Sequence, residues 1–500
     1  MTTPPSTTTP DTVSPSPASG PGTASADTSP AAPSELIWWS ATRLRDAVAA
    51  GEITAVELMS ACYDRIDATD DRINVIVYRM PRQEAIALAE EADRVRAAGG
   101  PLGPLHGIPV AIKDLVDVAG MPTSRGSRAF ADRGPRATDV PHVRKLREAG
   151  ALIIAKTNSP EFGVGTVTWN DVHGITRNPY DTTRHAGGST GGVAAVAAGM
   201  LPLVDGSDSG GSLRYPASFC NAVGLRTTPG LVPAASGPGA WEPHSVNGPV
   251  ARTCRDAALM LSAMTGTDEL TPLGHGLGAT AELGTPHHAP VRLAWSEDLG
   301  GLPVATEVRE AFRSVRRTLE AAGVEVVDVE VDFTGVDRAW QTIEMFGWFS
   351  LLGRDPIEHP EKYRDDFVTN VTEASAYSTT ELVEAQRRRY ELFVRFAELL
   401  RDFDAFVCPG APVTAPPAEV PWVAEIEGTS FDRYFEWQRL ACRLVPSQHP
   451  VLAMPAAFGS SGLPVGIQMV GRYGRDVELL ALGERLELIL GVAGVRPGLD

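Results

Sequence analysis

Apolar residues recur three and four positions apart over two early stretches, the spacing of one helical face. The first follows Ser40, a residue suited to cap a helix, places Leu44 and Val48 on one side, and ends at Gly51. The second runs from about Thr54 through Val56, Leu58 and Cys62 to Ile66. Further on, short apolar runs read as buried strands: Pro109 to Lys113 and Leu152 to Lys156, with a helix near Val143 to Ala149 between them. Val291 to Trp295, Val324 to Val331, Ala405 to Cys408 and Val451 to Met454 have the same character. Val465 to Val470 follows a Gly-Ser-Ser-Gly turn and pairs back as a hairpin on this reading. Thr380 to Arg401 predicts a long helix with Leu382, Phe393, Phe396 and Leu400 on one side. Strands alternating with helices predict an α/β sandwich around a mixed sheet. No polar linker divides the chain after residue 35, which predicts one large domain, residues 35–500, with about 265–400 a helical elaboration covering one end.

Composition adds a boundary and several exclusions. Residues 1–34 are almost only Thr, Ser, Pro, Ala and Gly, a mixture that cannot bury apolar surface and is expected to form a disordered tail. They lack the basic start and apolar stretch of a secretory signal. The 44 basic and 62 acidic side chains leave a net charge of −18, which disfavours nucleic acid as a partner. The absence of a run of 18 apolar residues excludes a membrane-spanning helix. The five cysteines, Cys62, Cys220, Cys254, Cys408 and Cys442, form no CxxC pair, so neither a disulfide framework nor a zinc knuckle is expected. Scattered cysteines suit a reducing cytosol and a cytoplasmic protein. With no HExxH or HxH, a protein-built metal site is not expected either.

The chemistry concentrates between His185 and Pro216, which reads HAGGSTGGVAAVAAGMLPLVDGSDSGGSLRYP. Two Gly/Ser-dense segments, Gly187 to Gly192 and Gly206 to Ser212, flank an Ala-rich, helix-prone run. Glycine lets backbone N–H groups approach a bound group, and N–H groups preorganised near a serine make an oxyanion hole. Three readings compete: plain connecting loops, a phosphate cradle, and nucleophilic catalysis. The cradle lacks the Lys that GxxxxGK[ST] requires. Gly187-Gly-Ser-Thr-Gly191 matches GxSxG, but a nucleophile elbow needs a buried strand before it, and Arg177 to His185 is loop sequence. A serine nucleophile also needs a base. His185 and His449 are candidates, each alone in a loop. Lys113 ends the apolar strand Gly107-Ile-Pro-Val-Ala-Ile-Lys113, where desolvation lowers an amine's pKa and makes it a usable base. The plainer reading pairs Lys113 with Asp114 or lets it snorkel to water.

Taken together, these segments resemble the amidase signature family, from about Trp39 to Leu490. GPLHGIPVAIKD resembles its lysine segment; GALIIAKTN, NPY and GGSTGG its first serine loop; DGSDSGGSLRYPASFCNAVGLRTTPG its second; and GLPVGIQMVGR its C-terminal hairpin. The resemblance implies an α/β fold, a single large α/β/α sandwich around a mixed, mostly parallel sheet. It implies a Ser–cis-Ser–Lys triad: Ser212 as nucleophile, Ser189 as bridging serine beside a cis peptide bond with Gly188, and Lys113 as base. The oxyanion would be held by the N–H groups of Ser209, Gly210, Gly211 and Ser212. Asp208 and Arg214 would hold the second loop, with Gly188 and Thr190 supporting the first. It implies no metal or organic cofactor, a small-molecule amide substrate, and a monomer or homodimer.

Four features depart from the family's pattern. Thr190 stands where Ser is usual, and the stretch between Ser189 and Ser212 is one residue short, which leaves Thr190 as an alternative bridging hydroxyl. Tyr215 follows Arg214, and His185-Ala186 precedes the glycines. Three functions are compatible with this pattern. One is an amidohydrolase that cleaves linear carboxamides through an acyl-enzyme, extending to aryl amides, esters or urethanase-like carbamates. The others are the A subunit of a glutamine-dependent tRNA amidotransferase and a non-catalytic relative. Within Trp340 to Leu352 and beyond, helical spacing favours core packing, while Trp348, Phe349 and Tyr434 remain candidates to line an apolar acyl or aryl cleft. Because the tail's composition cannot build a core, removing residues 1–34 is expected to leave activity and melting temperature unchanged; a clear fall in either shows that the tail docks on the body.

Overall fold

In the computed structural model, residues 33–233, 240–276, 287 and 289–499 are described. The expected tail therefore lies, up to residue 32, outside the described residues. Local signals set the first helices. Helix α1 spans Ala41–Ala50, its start capped by the Ser40 hydroxyl on the Arg43 N–H and its end turned by Gly51 at φ +74°. Helix α2 spans Ala55–Ile73 behind a reciprocal cap, in which Glu57 N–H donates to Thr54 Oγ1 and Thr54 N–H to the Glu57 carboxylate.

Eleven strands form one sheet: β1 (Ile76–Arg79), β2 (Pro109–Lys113), β3 (Leu152–Thr157), β4 (Leu203–Asp208), β5 (Val223–Arg226), β6 (Val246–Ala251), β7 (Arg292–Trp295), β8 (Glu325–Asp328), β9 (Ala405–Pro409), β10 (Val451–Phe458) and β11 (Pro464–Val470). Their spatial order is β1-β3-β2-β4-β6-β5-β10-β11-β9-β7-β8. Pairing is parallel in the blocks β3-β2-β4 and β9-β7-β8 and antiparallel at the other contacts, so the sheet is mixed. Every residue of β2, β5, β6, β9 and β11 is buried. Such strands are covered on both faces, which is why β2, β9 and β11 read as nearly continuous apolar runs, whereas β5 and β6 are interrupted by Arg226 and Asn247. The expected hairpin of β10 and β11 forms, with Met454 opposite Ile467.

The register of β2 and β4 positions the site. Val110 lies beside Leu203 and Ala111 beside Val204, so the two parallel strands end side by side. Lys113 closes β2 and Asp208 closes β4, so both stand at the carboxyl ends of neighbouring strands, where open α/β sheets bind ligands. The first serine loop precedes α3 (Gly192–Ala197), all of whose residues are buried. The second runs from β4 into α4 (Arg214–Phe219), also wholly buried.

Two expectations are corrected. Residues 177–185 are not loop: Arg177–Asn178 and Asp181–His185 pair as a small ribbon outside the main sheet. Residues 265–400 are not all helical elaboration, because β7 and β8 belong to the main sheet edge. The helical part is narrower and contains α5 (Val336–Leu352), α6 (Asp365–Ser375) and α7 (Thr379–Leu399). Helix α7 buries Ala385, Leu392 and Phe396, a stripe rotated slightly from the expected one, with Phe396 edge-on to Phe406 of β9.

Candidate active site

Lys113 is 1% exposed at the end of an all-buried strand. Its Nζ lies 2.8 Å from Ser189 Oγ, 3.0 Å from Thr190 Oγ1 and 3.0 Å from Ser207 Oγ. Burial lowers its pKa to about 7, against the opposing pull of Asp205 and Asp208. An uncharged amine has two N–H groups and one lone pair. Thr190 turns its own hydroxyl towards the Ser207 carbonyl at 3.4 Å and so accepts from the amine, leaving the lone pair for a hydroxyl proton. The amine does not pair with Asp114. That carboxylate takes Lys156 at 3.0 Å, in a separate buried cluster completed by Thr123 and Ser124.

Gly188–Ser189 is a cis peptide bond. The space around Gly188 admits no side chain: a Cβ there would sit 2.8 Å from the Thr166 carbonyl carbon. The Thr190 N–H donates to the Ser212 carbonyl at 3.2 Å, which ties the two loops together. Ser212 is half-buried, and among the described residues its hydroxyl has no hydrogen-bond partner.

The second loop is pinned from below. Asp208 is fully buried and accepts Arg214 Nε and a second guanidinium nitrogen at 3.0 Å each, together with the Gly211 N–H at 3.0 Å and the Leu213 N–H at 3.2 Å. Burial would raise its pKa, but the Arg214 and Arg226 guanidinium groups hold it at about 2. Arg226 also donates to the Asp208 carbonyl. Gly211 adopts φ +112°, and a Cβ there would meet Ala441 Cβ at 2.5 Å, so glycine is required. Of the four N–H groups expected as donors, that of Gly211 is taken by Asp208. Those of Ser209, Gly210 and Ser212 have no protein acceptor among the described residues.

The two histidines stand apart from this cluster. His185 is buried at the end of the small ribbon, where its Nδ1 accepts the Gly187 N–H at 3.0 Å. His449 Nδ1 meets the Ser447 carbonyl at 2.8 Å, and its ring packs on Phe393. Burial lowers both to about 4. Three partners escaped the sequence reading: Ser207, Asp205 and Arg226. Asp205 accepts the Lys113 N–H at 2.6 Å and meets His142 Nε2 at 2.9 Å. A signal existed for two of them, because alternation along Leu203–Asp208 places residues 205 and 207 on one face. Among the described residues, no group of three or more His, Cys, Asp or Glu side chains is gathered to hold a metal ion.

A cleft of about 650 Å³ opens beside the first loop, lined by Val164, Val167, Trp169, Trp422, Arg433 and Tyr434 among others. Thr168, between the lining residues Val167 and Trp169, donates from both N–H and hydroxyl to the Gly187 carbonyl of the first loop. Of the candidate lining residues, Tyr434 faces this cleft. Trp348 and Phe349 do not line it; they pack in aromatic clusters that Tyr434 also joins, Trp348 edge-on to Phe367.

The family model described as Amidase matches residues 57–480. An acylamidase of Rhodococcus erythropolis is 32% identical over 468 residues, covering 92% of this chain and 98% of that protein. The A component of the glutamyl-tRNA(Gln) amidotransferase of Chloroflexus aurantiacus is 32% identical over 511 residues, covering 93% and 99%. The crystal structure of a bacterial aryl acylamidase of the amidase signature enzymes superposes with a TM-score of 0.82 at 26% identity, covering 92% of this chain and 99% of that one.

The buried carboxylate under the second loop gives a stability prediction. Arg214→Met removes a bidentate partner from Asp208 and is expected to lower unfolding free energy by about 3–5 kcal/mol, the usual result of breaking a buried pair from one side. Chemical denaturation measures it. A loss below about 1 kcal/mol shows that Arg226 alone suffices for Asp208.

Proposed function

The chain belongs to the amidase family, and from that premise we propose that it hydrolyses linear carboxamides through Ser212, Ser189 and Lys113, by way of an acyl-enzyme. The observation that carries this reading is the buried amine of Lys113, with a pKa lowered to about 7 and surrounded by hydroxyls of both serine loops. Ser212 Oγ attacks the carbonyl carbon of the amide. Its proton passes to Ser189 Oγ as the Ser189 proton passes to Lys113 Nζ. The oxyanion that forms accepts the free N–H groups of the second loop. Lys113 then returns a proton through Ser189 to the substrate nitrogen, the C–N bond breaks, and the amine leaves an ester on Ser212. Water, deprotonated by the same relay, attacks the ester, releases the carboxylic acid and restores the Ser212 hydroxyl.

The same acyl transfer extends to aryl amides, esters and carbamates, and the aromatic lining of the cleft by Trp169, Trp422 and Tyr434 supports an apolar or aryl group on the substrate. The five cysteines are buried and unpaired, which supports a reducing, cytoplasmic setting. No helix among the described residues is long and apolar enough to cross a membrane. The reading takes the enzyme as a monomer or homodimer. Turnover of a free carboxamide by this chain alone separates it from the tRNA amidotransferase reading, in which the catalytic chain works with partner subunits.

A panel of anilides, primary amides, esters and carbamates assayed on wild type and variants tests the reading. Ser212→Ala is expected to cost about a thousand-fold or more in kcat with the fold intact. Lys113→Arg is expected to be as inactive as Lys113→Ala, because a guanidinium stays protonated. The base must be uncharged, so kcat/KM rises with pH through about 7 and levels off above it. Asp205→Asn keeps an oxygen for the Lys113 N–H but removes an anion that favours the charged amine, so the rise moves to lower pH. A histidine base, His185 or His449, gives instead a rise near pH 4 that is indifferent to Lys113. Retained activity in Lys113→Arg overturns the assignment.

A further inference from the structure

Helix α5 hydrogen-bonds the second serine loop at Ser209, through two side chains four positions apart on one helical face. Trp340 Nε1 donates to the Ser209 carbonyl at 2.8 Å. Glu344 accepts the Ser209 hydroxyl at 2.7 Å, and its other oxygen lies 3.1 Å from His244 Nε2. All three are buried: Trp340 is 5% exposed, Glu344 7% and His244 2%. The indole ring also closes the space above the loop, since a Cβ on Gly210 would lie 3.0 Å from Trp340 Cζ2. Phe435 packs against the same ring, 5.6 Å between centroids.

These contacts fix the direction of an N–H group. In a trans peptide the C=O and the following N–H point to opposite sides of one rigid plane. Trp340 holds the Ser209 carbonyl, so the Gly210 N–H points away from α5. The next carbonyl, of Gly210, accepts from Cys442 Sγ at 3.4 Å, and the N–H across that plane, of Gly211, turns back to Asp208. The third carbonyl, of Gly211, accepts the Arg214 and Tyr215 N–H groups at 2.9 and 2.8 Å, which directs the Ser212 N–H away from α4. Three successive planes are thus held by their carbonyls, and the alternation leaves the N–H groups of Gly210 and Ser212 uncommitted.

We propose that Trp340 and Glu344 are positioning residues, which orient the Gly210 N–H towards the oxyanion of acyl transfer by clamping Ser209. The inference rests on the reading of Ser212 as nucleophile. Neither residue touches the reacting atoms. They act through the peptide between Ser209 and Gly210. An oxyanion donor acts on the transition state and not on the bound amide, so the clamp is felt in kcat.

Trp340→Phe removes the N–H and keeps a ring in its place. It is expected to lower kcat about 10- to 100-fold, less than the outright loss of an oxyanion donor, with KM changed less than about threefold. A trifluoromethyl ketone, whose adduct on Ser212 carries an oxyanion, is expected to lose affinity by the same factor as kcat/KM. A loosened core does not produce that match. Glu344→Gln keeps an oxygen for the Ser209 hydroxyl and is expected to stay within about threefold of wild type, whereas Glu344→Leu is expected to follow Trp340→Phe in both kcat and ketone affinity. Should Trp340→Phe not fold, the Glu344 pair carries the test alone. Folded Trp340→Phe or Glu344→Leu with unchanged kcat overturns the proposal, as does a fall in kcat without the matching loss of ketone affinity. Ser212→Ala, measured in parallel, separates the two levels. If it is inactive while Trp340→Phe is unaffected, the clamp alone fails; if it is active, the nucleophile assignment fails and the clamp with it.

Discussion

Everything at this site depends on keeping the Lys113 amine dry. An ammonium in that position would lose its hydration without gaining a direct carboxylate partner, because Asp114 is committed to Lys156 and Asp205 to His142 and the backbone N–H of Lys113. Desolvation therefore outweighs the attraction of Asp205 and Asp208, and the pKa of the amine falls to about 7, where half of it is uncharged. Hydroxyls can satisfy an uncharged amine without restoring its charge, and three of them do. The cost of burying a nitrogen base is offset by strands covered on both faces and by the fully buried helix α3.

The second constraint is rigidity below Ser212. Asp208 sits where β4 ends and binds two backbone N–H groups and a bidentate arginine, with a second arginine behind. This fixes the turn from β4 into α4, and with it the place of Ser212. The helical elaboration reaches the same loop from the opposite side, so an element far along the chain closes over residues supplied by the central sheet. Sheet edge, salt-bridged turn and covering helix each restrain a different peptide plane.

Much of this was legible in the chain. Strands β2, β3, β9, β10 and β11 announce themselves because strands buried on both faces are mostly apolar. Lys113 at the end of such a run was readable as an unusual amine, and the two Gly/Ser loops were readable as the place for chemistry. What escaped has physical reasons. Strand β4, with the sequence LVDGSD, carries two carboxylates and a glycine, and only the tertiary partners His142, Arg214 and Arg226 make those carboxylates acceptable inside. Arg226 is an unremarkable arginine until the sheet places it beneath Asp208. Trp340 has the spacing of a core residue and is one; its indole N–H acquires a second task only because a loop 131 residues away lies within reach.

The central claim is that the amine beside Ser189 is uncharged when the enzyme works. Carbon-13 NMR of the Lys113 side chain, titrated in the full-length protein beside the pH dependence of kcat/KM, tests it most directly. The account predicts that the amine titrates near pH 7 and that its midpoint coincides with the rise in activity. An amine that stays charged to about pH 10 while activity has already levelled off would contradict it.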